Sequence, residues 1–203
     1  MKRKIKILSV TFIVILVGIF VYFYLPKILS DTVYPLEYKD LIKKYATEYQ
    51  LDPNFVAGVI FSESHFNAHA TSPVGARGLM QIMPQTGRGI ARSLGEEASY
   101  SPDKLYNPET NIKYGCWYLR NLTNKYPWDV SYVLIAYNGG VALADRFATY
   151  GGSLNAETSY YYVKVQKNKQ IYDQLYGKWW ESEKKVKMKP TLKDIILSWM
   201  LGR

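Results

Sequence analysis

Apolar positions recur along this chain with a helical period, and nowhere do they alternate for long with period two. Leu41, Ile42, Tyr45, Ala46 and Tyr49 space a first amphipathic helix over residues 37–49. Asp52 followed by Pro53 is a cap with proline at the first helical position, and it opens a second helix. Val56, Val59, Ile60 and Glu63 share one face of that helix at i, i+3, i+4 and i+7, so an apolar stripe ends in a carboxylate. Asn67, Ser72, Pro73, Gly75 and Gly78 mark a loop, GLMQIM predicts a short helical turn, and Pro84 starts a helix that Gly95 ends. Asn107 and Pro108 repeat the cap-then-proline signature before a helix in which Ile112, Cys116, Leu119 and Leu122 keep the 3.6 period. Asp129 opens another helix, VSYVLIAY, stopped by Asn138, Gly139 and Gly140; VALADRFATY follows and stops at Gly151 and Gly152. Thr158 is expected to cap a last long helix ending at Gly177. The pattern predicts an all-α domain over residues 37–177, with no repeat of fixed period.

The two ends differ in kind from this middle. Residues 7–25, ILSVTFIVILVGIFVYFYL, carry no charge and are apolar on every face, which a core helix rarely is. At about 1.5 Å per residue they approach the ~30 Å hydrocarbon thickness of a bilayer. A cleaved signal peptide would have a shorter apolar run followed by small residues, and YFYLPK offers none, so an uncleaved transmembrane anchor is expected. The basic run in residues 1–6 places the N-terminus in the cytoplasm and the rest of the chain outside, a single-pass protein of the cell membrane. Residues 26–36 read as a proline-bounded linker. Residues 178–203 read as a basic linker, followed by a short amphipathic helix that spaces Leu192, Ile195, Ile196, Trp199 and Met200 on one side.

Charge changes the picture by where it sits. The net charge is +9, but residues 1–30 hold five basic side chains and no acid, and residues 178–203 hold seven basic and three acidic ones. Residues 31–177 are therefore neutral, which removes the electrostatic footprint of a nucleic-acid binder. Cys116 is the only cysteine, so neither an intrachain disulfide nor a cysteine metal cluster can form, and its apolar helical setting fits a buried, inert thiol. His65 and His69 have a spacing that can bind zinc on a helix, but the turn residues between them and the lack of a third ligand argue against a metal site.

The candidate chemistry lies between Glu63 and Pro84. Set against Val59 and Ile60 in the last turn of its helix, Glu63 is desolvated and faces the negative end of the macrodipole, both of which favour its protonated form. Such a group can act as a general acid near neutral pH. Taken alone, a glutamate at a helix end more often points simply to water than into a site, because surface glutamates are so common. Glu96, Glu97, Asp103 and Glu109 are the other nearby acids, and their polar, capping or loop contexts make none of them a convincing second catalytic carboxylate.

The company Glu63 keeps decides between these. ESHFN, SPVGARGLMQIMP, AYN and ETSYYYVKV, in this order and with eighteen residues from Glu63 to Gln81, resemble the soluble-lytic-transglycosylase (SLT) domain of bacteria, the goose-lysozyme-like branch of the lysozyme superfamily. The resemblance covers residues 37–176 and implies an all-α, lysozyme-like fold carried outside the cell by the N-terminal helix. It implies cleavage of the β-1,4 bond between N-acetylmuramic acid and N-acetylglucosamine in peptidoglycan. Glu63 would protonate the leaving oxygen and then, as a carboxylate, take the proton of the muramic C6 hydroxyl as a 1,6-anhydro sugar closes. An intramolecular nucleophile needs no second carboxylate, unlike an ordinary glycosidase.

The same resemblance assigns Ser64 a packing or hydrogen-bonding role beside Glu63. It places Ser72, Gln81 and Met83 on the sugar or its N-acetyl group, Tyr137 and Asn138 along the same subsite, and Tyr161 on the acid. Between Tyr160, Tyr161 and Tyr162 the motif alone selects the middle residue. The chain has AYNGG where AYNAG is common, and Ser159 where arginine usually follows the Glu-Thr pair, which puts a local ion pair in doubt. No cofactor is implied. The partners implied are glycan strands and, through residues 7–25, the membrane, with a wall-synthesis or secretion complex left open. A muramidase using water and a non-catalytic wall-binding scaffold are the alternatives, and the latter is disfavoured because Glu63, Gln81, Tyr137 and Tyr161 are all present.

Overall fold

The computed structural model describes residues 2–28, 32–151 and 153–187. Eight α-helices occur among them: α1 (Lys2–Ile28), α2 (Lys39–Glu48), α3 (Pro53–Ser64), α4 (Pro84–Ser93), α5 (Pro108–Lys125), α6 (Val130–Gly139), α7 (Val141–Tyr150) and α8 (Ala156–Lys187). Two short 3₁₀ turns, Glu97–Ser99 and Pro102–Tyr106, lie between α4 and α5.

The starts of α3, α5 and α6 follow from their caps. Asp52, Asn107 and Asp129 each accept a hydrogen bond from a backbone N–H in the first turn that follows, at 2.9, 3.0 and 2.8 Å. Helix α3 is the centre of the domain. Asn54 to Ile60, Ser62 and Ser64 are all buried, so its neighbours surround it rather than cover one face. Helices α2 and α8 pack on it directly, while α5 bridges α2, α4 and α6. Gly58 sets the approach of α3 to α8, because a Cβ there would lie 2.9 Å from the Lys169 amide nitrogen.

The structure departs from the sequence pattern at five places. GLMQIM is not helical: Arg77 pairs with Thr71 and with Ile82 in isolated antiparallel bridges, with Gly78 and Gln81 at φ 76° and 48°. The cap of α8 is Asn155, whose Oδ1 accepts from the Thr158 N–H at 2.7 Å, and Thr158 itself lies in the first turn. Gly177 does not end α8. The helix continues to Lys187 because Trp180 is buried in the core and its indole N–H donates to Asn54 Oδ1 at 2.6 Å, outweighing a glycine penalty of about 1 kcal/mol. Helix α8 therefore continues past residue 178. Residues 26–36 do not form a plain linker: α1 runs to Ile28, and Tyr34 and Pro35 accept hydrogen bonds from the hydroxyls of Tyr176 and Tyr172. Lastly, α2 begins at Lys39, behind a Tyr38 in left-handed conformation, rather than at Glu37.

Two observations on α1 pull apart. Its side chains over residues 9–25 are all exposed, including Phe12, Ile13, Phe20 and Phe23. Among the described residues, however, no helix is long and apolar enough to cross a membrane. Residues 7–25, expected as a transmembrane anchor, lie within the helix α1. The amphipathic helix expected near the C-terminus lies outside the described residues.

Candidate active site

Glu63 sits in the last turn of α3, and the chain leaves that helix through two consecutive left-handed residues, His65 (φ 51°) and Phe66 (φ 64°). This reversal starts the loop that carries GLMQ, and side chains anchor the loop to the helices beneath. Ser64 Oγ donates to the Leu79 carbonyl at 2.8 Å, tying the end of α3 to the turn. Asn111, fully buried on α5, holds three groups of the loop and its neighbour: its Oδ1 accepts from Met80 N–H at 2.7 Å, and its Nδ2 donates to the carbonyls of Arg77 and Leu105 at 2.9 and 2.7 Å. Gly78 permits this clasp, since a Cβ there would collide with the Leu105 carbonyl and the Asn111 amide. Gln81 Nε2 donates to the carbonyls of Gly78 and Ala70 at 2.8 and 3.2 Å, so its amide nitrogen holds the loop and its oxygen remains as the acceptor.

The Glu63 carboxyl is half-buried and receives a hydrogen bond from Tyr161 Oη at 2.6 Å. Tyr161 is buried while Tyr160 is largely exposed, so the helix places the middle tyrosine of the three on the acid. Desolvation pushes the pKa of Glu63 up from 4.5 to about 7, against the opposing effects of the Tyr161 hydrogen bond and the charge of Lys164. Burial and the nearby carboxyl raise the phenols of Tyr161 and Tyr137 well above their ordinary value, which keeps both as neutral donors. Tyr137 Oη donates to the Met80 carbonyl at 2.8 Å, joining α6 to the GLMQ turn.

A cleft of about 310 Å³ opens where α6 meets this turn, lined by Gln81, Met83, Thr86, Tyr118, Tyr137 and Asn138 among others. Four residues singled out from the sequence, Gln81, Met83, Tyr137 and Asn138, thus meet at one cleft, and Met83 is exposed in it. Ser64 lies beneath as a buried brace. Ser72 is not part of the cleft lining; its Oγ accepts from Ala76 N–H at 3.0 Å and closes the turn before Arg77. Tyr118, Asn111 and Lys164 were not found in the sequence. Each is a polar residue on an otherwise ordinary helix, and nothing in the spacing marks which face it presents.

No carboxylate is among the groups that perturb Glu63. Glu96 is paired with Lys113 and Tyr114, Glu97 with Arg92, Asp103 with Arg77, and Glu109 with Lys44 and Tyr45. These partners hold Glu96, Glu97 and Glu109 below the usual carboxylate range. Cys116 is buried, and burial pushes its thiol up, far from a reactive thiolate. His65 packs on Phe61 and His69 on Tyr106, and among the described residues no group of three or more His, Cys, Asp or Glu could hold a metal ion.

A half-buried acid in an all-helical frame, bearing on Tyr137 of a cleft lined by residues of GLMQ and AYN, defines a class that comparison with known proteins makes specific. Residues 40–158 match the family described as the Transglycosylase SLT domain, and the chain belongs to that family. Among curated proteins, it is 36% identical over 107 residues to the soluble lytic murein transglycosylase of Escherichia coli, covering 53% of this chain and 17% of that one. It is 39% identical over 133 residues to the transglycosylase of Enterobacteria phage PRD1, covering 66% and 43%. With the membrane-bound lytic murein transglycosylase C of Mannheimia succiniciproducens it shares 36% over 118 residues, covering 54% and 33%. The chain thus spans less than half the length of each of these relatives.

Solved structures agree. The crystal structure of the 70-kDa soluble lytic transglycosylase from Escherichia coli superposes with a TM-score of 0.67 at 28% identity, covering 71% of this chain and 25% of that one. An inactive mutant of the lytic transglycosylase Slt from Pseudomonas aeruginosa, with glutamine in place of a glutamate, superposes with a TM-score of 0.64 at 25% identity, covering 70% and 24%.

Proposed function

We propose that this protein is a peptidoglycan lytic transglycosylase in which Glu63 acts first as acid and then as base. The observation that carries the proposal is the half-buried Glu63 carboxyl, with a pKa pushed up to about 7 and a neutral tyrosine at 2.6 Å. An acid with that pKa holds its proton near neutral pH yet takes one back with little cost. Protonated Glu63 gives its proton to the glycosidic oxygen as the bond from muramic C1 breaks. The carboxylate left behind accepts the proton of the C6 hydroxyl, whose oxygen bonds to C1, and the 1,6-anhydro sugar forms with no water consumed. Tyr161 orients the carboxyl throughout. Gln81, Met83, Tyr137 and Asn138 bind the sugar and its N-acetyl group in the cleft, while Ser64 and Ser72 shape the loop that carries Gln81.

The pairing of the other acids with cations supports a site that works with one carboxylate, which favours the anhydro product over a muramidase using water. The inactivity of a glutamate-to-glutamine mutant in the Pseudomonas relative supports a catalytic glutamate, and hence an enzyme rather than a wall-binding scaffold. The exposed apolar surface of α1, together with the membrane-bound relatives, supports an anchor over residues 7–25 with the domain outside the cell.

Digestion of purified sacculi by the full chain tests this. The expected products are anhydro-muropeptides, each one water lighter by mass spectrometry than the reducing product of a hydrolase. Glu63→Gln is expected to lose at least about a thousandfold in rate while keeping the helical circular dichroism of the wild type. Release of reducing ends, or undiminished turnover by the mutant, would overturn the proposal.

A further inference from the structure

The last turn of α3 leaves carbonyls without helical partners, as every helix does. Here the Phe61 carbonyl is taken by His65 N–H and the Ser64 carbonyl by Asn67 N–H. The two left-handed residues then turn the chain aside, and the Ser62 carbonyl, in the peptide unit that leads directly into Glu63, is met instead from α8: Lys164 Nζ donates to it at 2.6 Å. Lys164 lies three residues beyond Tyr161, so both project from one face of α8 toward the end of α3. Four residues further on, Asn168 Nδ2 donates to Ser62 Oγ at 2.8 Å, and that hydroxyl donates to the Gly58 carbonyl at 2.7 Å. The segment around Glu63 is thus clamped at three points by one helix: Tyr161 on the carboxyl, Lys164 on the preceding carbonyl and Asn168 on the preceding side chain.

We propose that Lys164 is a positioning residue for Glu63, fixing the peptide before the acid and supplying the positive charge that bears on its carboxyl group. The proposal rests on the assignment of Glu63 as the acid and extends it to the second half of the reaction. Tyr161 and Tyr137 face the carboxyl as neutral phenols, from α8 and α6, and neither can balance a full negative charge. Lys164 is the cation that acts on Glu63, and its charge opposes the desolvation that favours the protonated form. Without it, only the Tyr161 hydrogen bond would oppose burial. Glu63 would remain a competent acid and become reluctant to exist as the carboxylate that the leaving proton creates. A lysine at a helix C-terminus also complements the macrodipole, so the same contact braces α3 and tunes the acid.

The direct test is the titration of the Glu63 carboxyl carbon by NMR in the full chain, with its resonance assigned by its absence in Glu63→Gln. Lys164→Met is expected to raise the Glu63 midpoint by about half to one pH unit, and Lys164→Arg to restore it. Lys164→Gln keeps a donor for the Ser62 carbonyl and removes only the charge, so it is read in the same way if the methionine variant does not fold. Because this readout needs no turnover, it stands even if the wild type releases no anhydro-muropeptides, an outcome that would count against the assigned activity alone. On sacculi, the alkaline limb of kcat/KM should move upward with the NMR midpoint. A folded methionine or glutamine variant with an unmoved midpoint would overturn the proposal, since a brace alone leaves the proton affinity of Glu63 unchanged.

Discussion

At the scale of single residues, Glu63 is a carboxyl whose protonation couples to the stability of the fold. Its pKa is raised from 4.5 to about 7, so the species the fold favours is the protonated one. That stabilisation is fully present below pH 4.5 and is lost as pH rises through 7, where a buried charge must be tolerated. Glu63→Gln keeps an acceptor for the Tyr161 hydroxyl and cannot ionise. Relative to the wild type, it should therefore gain stability as pH rises from 4 to 8, by up to about 3 kcal/mol, because one pKa unit corresponds to about 1.4 kcal/mol. Urea denaturation at the two pH values measures this, and a pH-independent difference would mean that the carboxyl is hydrated in the fold. Glu63 was legible in the sequence through the motifs that accompany it, since an apolar stripe ending on a glutamate does not by itself mark a site. The motif also pointed to Tyr161, whereas the charge of Lys164 was not legible, since it arrives from about a hundred residues away along the chain.

At the scale of elements, the loop that presents Gln81 depends on a residue outside it. The sequence pattern suggested a helical turn at GLMQIM, because Leu79, Met80 and Ile82 are apolar and closely spaced. All three are indeed buried, yet the backbone is a pair of bridges around Arg77 rather than a helix. The reason is tertiary. Asn111 bonds to both sides of the turn, and Met80 packs where Gly115 of α5 leaves room for it. Asn111→Ala would leave the Met80 N–H and two carbonyls without their partner, and should cost about 2–4 kcal/mol in a denaturant titration. The NMR midpoint of Glu63 should hardly change in this variant, which separates the support of the loop from the tuning of the acid.

At the scale of the whole molecule, the extent of the domain is set by contacts between distant parts of the chain. Tyr34 and Pro35 are held by Tyr176 and Tyr172, and Trp179 lies against the ammonium groups of Lys39 and Lys43, 5.2 and 5.6 Å from its ring centre. Residues before α2 and beyond Gly177 thus pack on one another across the chain. Within the continuous helix, Gly177 has nothing within 4 Å of where a Cβ would stand. Gly177→Ala is expected to stabilise the protein by about 1 kcal/mol, seen as a rise in Tm. A fall would mean that the helix breaks at the glycine.

The sequence by itself determined the helices, whose period and proline-preceding caps are local, and the identity of Glu63, Gln81, Tyr137 and Asn138, which the motifs carry. It also determined where the charge lies, outside residues 31–177. Only the tertiary structure decided that Lys164 bears on the acid, that Asn111 shapes the loop and that α8 passes through Gly177. Each of these depends on which face of one helix meets another. A periodic pattern fixes the faces of each helix separately, but which faces meet is settled only when the core closes around α3.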